Sequence, residues 1–205
     1  MKSAPARRAR HDAWSRDAVT QARSTVAADA YAGWLAALWP AGRSSVAEVF
    51  AVLDGARDER ISRRVEAYLD QKACLYEGPL TRELQNAAPY LLRLFHDDRF
   101  CHQLFDESWG QSWGVFVVAS TSLNSLRRHF RQFMVVRGPA GARLVFRWYD
   151  PRVLRVYLPT CNAEELRAIF GSIDAFIVEG VEPKTAHRFS FDGQRLTDTL
   201  LRLDG

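Results

Sequence analysis

The run Trp113-Gly-Val-Phe-Val-Val-Ala119 carries no charged side chain. It is too short to cross a membrane and too apolar to leave either face in water, so it reads as a strand buried on both faces, at the centre of a covered sheet. A second run, Glu48-Val-Phe-Ala-Val-Leu53, has the same character and stops at Asp54-Gly55, a pair with ordinary turn chemistry. Any fold of the chain has to house both runs. At 205 residues it is long enough to build one domain around them.

The remaining segments alternate in period. Tyr31, Trp34, Leu35, Leu38 and Trp39 recur at helical spacing after Asp29, and Pro40 to Gly42 ends that element. Ile61, Val65, Tyr68 and Leu69 form the inward side of a helix whose outward side is Arg60, Arg63, Arg64 and Glu66. Residues 73–76 read as a strand, Thr81 as the cap of a short helix to Ala87, and Pro89 to Leu94 as a further strand. Asp97 or Asp98 opens a helix that buries Phe100, Cys101, Leu104 and Phe105. Ser120-Thr-Ser122 opens another, with Leu123, Leu126, Phe130 and Phe133 on one stripe and Arg127, Arg128 and Arg131 off it.

Val135 to Arg137 and residues 143–149 flank the turn Gly138-Pro-Ala-Gly141, the pattern of an antiparallel hairpin. Along the second arm Leu144, Phe146 and Trp148 alternate with Val145, Arg147 and Tyr149, as a strand requires. Asp150-Pro151 then turns the chain into helix: the aspartate can cap free amides, and proline suits the first helical position. Val153, Leu154, Tyr157 and Leu158 share one side of that helix, which Pro159 closes. Asn162 and Glu165 have capping-box spacing before Leu166, Ile169 and Phe170, and Gly171 ends the element. Ile173 to Val178 and His187 to Phe191 read as closing strands, and Leu196 to Leu203 as a last short helix. Strands alternating with helices predict an α/β domain over 29–205, with a mixed, largely parallel sheet, an antiparallel hairpin and flanking helices.

Charge is unevenly distributed. Residues 1–28 hold six basic groups against Asp12 and Asp17, while the rest of the chain carries 22 basic and 22 acidic residues. The predicted body therefore lacks the concentrated positive surface that a nucleic-acid binder uses to displace counterions. The leader 1–28 is rich in Ala, Arg and Ser and is expected to be flexible. Cys74, Cys101 and Cys161 form no close pair, so neither a disulfide framework nor a zinc knuckle is suggested. No apolar run approaches the ~18 residues of a membrane span, and the N-terminus lacks the apolar core of a signal peptide. Cytoplasmic residence is the expectation.

Three patterns could carry chemistry. His96-Asp97-Asp98 with Cys101-His102 has metal-ligand residue types, but His96 and His102 point to different sides of a helix and Cys101 falls on its apolar stripe. No metal site or other cofactor is expected there. Asp54, Asp58 and Asp150 at element ends could serve magnesium-dependent phosphoryl transfer or hydrolysis if Asp54 and Asp150 converge. Turn and cap chemistry explains each of them without it. No Gly-x-Ser-x-Gly elbow and no Gly-Lys-Ser/Thr phosphate loop is present.

A set of motifs in fixed order carries a resemblance. They are Leu53-Asp54-Gly55-Ala56-Arg57, Pro89-Tyr-Leu-Leu92, Trp113-Gly114-Val-Phe116, Leu126-Arg127-Arg128-His-Phe130, Phe146-Arg-Trp148-Tyr-Asp150-Pro151-Arg152-Val-Leu154 and Ile169-Phe-Gly171-Ser-Ile173. Over about 48–191 the chain resembles the adaptor chaperones of bacterial type VI secretion, catalogued as the domain of unknown function 4123 family. The resemblance implies a non-catalytic protein that loads a toxic effector onto the spike protein VgrG. Asp54, Gly55, Trp113, Gly114, Trp148, Asp150, Pro151, Arg152 and Gly171 are then expected to be mainly determinants of the fold, and Arg127, Arg128 and Arg131 to meet acidic groups of a partner. Two departures stand out: Ser172 occupies a position often held by proline, and the chain stops soon after Leu203, where relatives often continue into a cargo-selecting portion.

Overall fold

The computed structural model describes residues 29–42, 46–96, 98–138 and 141–204; the leader expected over 1–28 lies outside them. Helix α1 (29–38) precedes β1 (Glu48–Asp54), α2 (Glu59–Ala67), β2 (Lys72–Cys74), α3 (Arg82–Ala87), β3 (Pro89–Leu94), α4 (Arg99–Ser108) and β4 (Gly114–Ala119). Then follow α5 (Leu123–Arg131), β5 (Val135–Arg137), β6 (Arg143–Val145), α6 (Pro151–Tyr157), a 3-10 turn (Leu158–Thr160), α7 (Ala163–Phe170), β7 (Ile173–Glu179), β8 (Thr185–Phe191) and β9 (Leu196–Arg202).

Seven strands form one sheet in the order β2-β3-β1-β4-β7-β8-β9, while β5 and β6 form a separate pair. The two apolar runs lie side by side at its centre, β1 pairing β4 from Glu48↔Ala119 to Leu53↔Gly114. Every pairing in the sheet is antiparallel, which overturns the expected largely parallel sheet. The helical crossovers do return the chain in its original direction: β2 runs parallel to β1, and β4 to β3. These partners never touch, because β3 inserts between β1 and β2, and β1 inserts between β3 and β4. This is a split βαβ arrangement. Alternation of strand and helix fixed direction, and adjacency was decided elsewhere. The hairpins β7-β8-β9 then extend the sheet with strands that can only be antiparallel.

Helices cover both faces. Trp34 and Leu38 of α1, Ile61 and Val65 of α2, and Leu104 and Phe105 of α4 pack with Leu53, Phe116 and Ile177 on one side. Leu126 and Phe130 of α5, Leu154 of α6, and Leu166 and Phe170 of α7 pack with Val115, Val117 and Phe176 on the other.

Three local expectations are also corrected. The strand expected over 143–149 stops at Val145; a turn closed by Asp150 N–H to Arg147 O (3.1 Å) follows, so Trp148 and Tyr149 are both buried instead of facing opposite sides. Leu196 to Arg202 is a strand and not a helix. The Asp192 side chain accepts from Gln194 N (2.8 Å) and Arg195 N (2.7 Å), and this turn lays the chain along the free edge of β8. Leu69 is exposed, since α2 ends at Ala67 and the extended Tyr68 takes the chain out of helical register.

Candidate functional site

Most of the motif residues gather at one end of the sheet, where β1 and β7 finish and β4 and β8 begin. Asp54 closes β1 with its N–H on Trp113 O (2.8 Å). Its carboxylate is 1 % exposed, accepting from Ala56 N (3.2 Å) within the turn and from Arg147 Nε (3.1 Å) and Nη2. That hydrogen bond raises the Arg147 pKa above its ordinary value. Gly55 and Gly114 are needed for close approach: a Cβ on Gly55 would lie 2.3 Å from Asn86 O, and one on Gly114 2.0 Å from Val52 O.

Asp150 sits beside this pair as the cap of α6. It accepts from Arg152 N (2.9 Å), Arg152 Nε (3.0 Å) and Arg152 Nη2 (2.6 Å), with Pro151 buried at the first turn. Burial opposes ionisation of this carboxyl, but the Arg152 hydrogen bonds outweigh it and hold the pKa below the ordinary range. Tyr149 is buried within electrostatic reach of Tyr76 and Asp54, and burial pushes its phenol pKa up. Trp148 packs at 4.4 Å on Phe130. Trp113 is buried under the Arg60 guanidinium, 5.0 Å from the ring centre. Arg60 also pairs with Asp58, the α2 cap, and its hydrogen bond lowers that carboxyl to about 2.

Next to the corner an open cleft of about 510 Å³ is lined by Arg152, Arg155, Glu179, Glu182, Lys184 and Thr185, among others. Glu179 is buried at the end of β7 and accepts from Ser112 N (3.1 Å), while Arg155 donates to its backbone carbonyl. Burial raises its pKa from the ordinary 4.5 to about 7. Sequence reasoning missed Arg147, Arg155 and Glu179. Only Glu179 left a signal, as a charge closing the apolar run Ala175 to Val178.

The two aspartates converge on one region, but as two closed ion pairs. To act as metal ligands or as a nucleophile, Asp54 and Asp150 would have to leave guanidinium groups that already occupy them. Among the described residues no group of three or more His, Cys, Asp or Glu could hold a metal ion. The set around Cys101 is spread out: His96 packs on Trp39, Asp98 caps α4 through Cys101 N (2.7 Å), and His102 stacks on Tyr31. Burial raises the Cys101 thiol to about 12. Asp97 lies outside the described residues.

The three arginines of α5 separate. Arg127 donates to Cys74 O (2.9 Å), and Arg131 to Leu75 O (3.1 Å) and Tyr76 O (2.6 Å), with Glu77 at 2.9 Å. Both thus tie α5 to the end of β2. Arg128 is exposed and, among the described residues, bonds only locally, to Ser125 Oγ (3.1 Å). Gly171 closes α7 at the opposite end of the sheet, against His129.

Comparison with known proteins finds a family match over residues 49–168, to the family described as Domain of unknown function (DUF4123). No curated protein and no solved structure matches. The match runs from β1 into α7 and takes in Asp54, Trp113, Trp148, Asp150 and Arg152; Gly171 and Glu179 fall beyond it. Covering more than half of the chain and the whole of its charged corner apart from Glu179, it shows that the chain belongs to the DUF4123 family.

Proposed function

We propose that the chain is a non-catalytic adaptor that works in the cytoplasm, binding a toxic effector of type VI secretion and delivering it to the spike protein VgrG. The family resemblance supplies the partners, and the open edge of the sheet is the observation that favours protein binding. Strand β9 is seven residues long and terminal in the sheet, and it contains no proline and no lysine that would discourage pairing. Leu203 N–H bonds Lys184 O (2.9 Å), and bonded pairs alternate along an antiparallel ladder, so the N–H and C=O of Leu196, Asp198, Leu200 and Arg202 face outward. An extended segment of another polypeptide can add there as an eighth strand. At the opposite edge, β2 has three residues, and Arg127 and Arg131 occupy carbonyls at its end and just beyond it.

The closed ion pairs at Asp54 and Asp150 accord with a fold-holding role for that corner, and no observation favours the phosphoryl-transfer alternative. The test is co-expression of the tagged chain with the proteins encoded beside it. Co-purification of a toxin-bearing protein and of a spike protein is expected; recovery of the chain alone under conditions where both are soluble would refute the adaptor reading.

A further inference from the structure

The hairpin β5-β6 stands apart from the main sheet, and its apolar side chains are left in water. Val135, Val136, Leu144 and Val145 are 40 %, 41 %, 49 % and 59 % exposed. Neighbouring residues of a strand face opposite sides, so both faces of the hairpin are apolar. A two-stranded sheet is marginal alone and gains from a third strand. Its edges are ready for one. Phe146 N–H bonds Met134 O (3.0 Å) and Gly138 N–H bonds Ala142 O (2.8 Å), so the pairs between them alternate and the backbone groups of Val135, Arg137, Arg143 and Val145 point outward.

Charge narrows the occupant. Arg137 and Arg143 are direct cross-strand partners, and neither has an ion-pair partner among the described residues. Like charges placed opposite each other repel. From Phe133 to Trp148 the chain contains three arginines and no acidic residue, in a body of 22 basic and 22 acidic residues. Arg147 is already matched by Asp54, which leaves Arg137 and Arg143 uncompensated.

We infer that β5-β6 is a docking edge for an extended segment of a partner protein in which apolar residues alternate with carboxylates. The segment adds as a third strand, extends the apolar face of Val136 and Leu144 with its own apolar side chains, and sets its carboxylates on the face of the opposed arginines. A second copy pairing through the same hairpin would bring more arginine and no carboxylate to that edge. An anionic lipid surface would meet the arginines and leave the outward backbone groups without partners. The inference rests on the protein-binding reading above and adds a second contact surface, remote in sequence from β9.

The probe is a labelled peptide alternating valine with glutamate over about ten residues, with a valine-lysine peptide as control, followed by fluorescence anisotropy on the full chain. The glutamate peptide is expected to bind, and to bind at least about tenfold more weakly in about 0.5 M salt. The double variant Arg137→Glu, Arg143→Glu is expected to show a similar loss without a lower Tm, and Leu144→Ser, on the face opposite the arginines, a partial one. Equal binding of the lysine peptide, unchanged binding by the charge-reversed chain, or no binding at all overturns the inference. So does light scattering that shows a dimer which the charge-reversed hairpin variant alone converts to a monomer, or binding to phosphatidylserine vesicles but not to the peptide. If co-expressed neighbours are captured while the peptide arm fails, the hairpin inference falls alone. If the peptide binds while no neighbour is captured, the adaptor reading falls.

Discussion

Glu179 is a carboxyl placed where ionisation is unfavourable, near Arg155 and Arg57 but with little water. Its folded-state pKa of about 7 exceeds the ordinary 4.5, so the folded state has its full stability below about pH 4.5 and loses it as pH rises toward and through 7. The whole window is worth about 3 kcal/mol. Glu179→Gln keeps an acceptor for Ser112 N–H and removes the charge; it is expected to raise stability by roughly that amount at pH 8 and by little at pH 4.5. Urea denaturation at the two pH values checks this, and an equal effect at both would show that the folded-state pKa is not raised. Arg147→Met leaves the buried Asp54 carboxylate uncompensated and is expected to cost about 3 kcal/mol, most of which Asp54→Asn in the same chain restores. Legibility at this scale follows sequence distance. The Asp150 cap was readable because it reaches two residues, whereas the Asp54–Arg147 pair spans 93 and left no local trace.

Elements announced themselves where a side chain meets its own backbone within one turn. Thr81, Ser122 and Asn162 each cap the helix that their positions predicted. The segment Leu196 to Arg202 misled because its leucines fit a helical period, while its strand state comes from a neighbouring edge the sequence does not display. That edge offers a clean substitution. Leu200 points its N–H away from β8, so Leu200→Pro removes an outward donor and spares the ladder. Partner capture is expected to fall several-fold with a small change in Tm; unchanged capture would move the contact elsewhere. Gly114→Ala is the opposite case. Its new methyl group would meet the Val52 carbonyl at the centre of the sheet, a backbone atom that cannot swing aside, and a loss of about 2 kcal/mol or more is expected by thermal unfolding.

At the scale of the molecule, both helical layers rest on one sheet, with Trp113 buried on one side and Trp148 on the other. Tryptophan fluorescence and far-ultraviolet circular dichroism are therefore expected to report one coincident unfolding transition; separated midpoints would mean that a layer detaches first. The sheet's composition was legible from the runs at 48–53 and 113–119, and its strand order was not. Parallel crossovers and an interleaved arrangement share the same strand-helix alternation, and only long-range pairing separates them. The interleaving also dictates when the centre can be completed. During translation β1 leaves the ribosome first, but one of its neighbours comes from residues 89–94 and the other from 114–119. A nascent chain stalled before the second of these displays a bare β1 edge that carries no charge from Val49 to Leu53, a hazard for clumping that ends only when the later strand arrives.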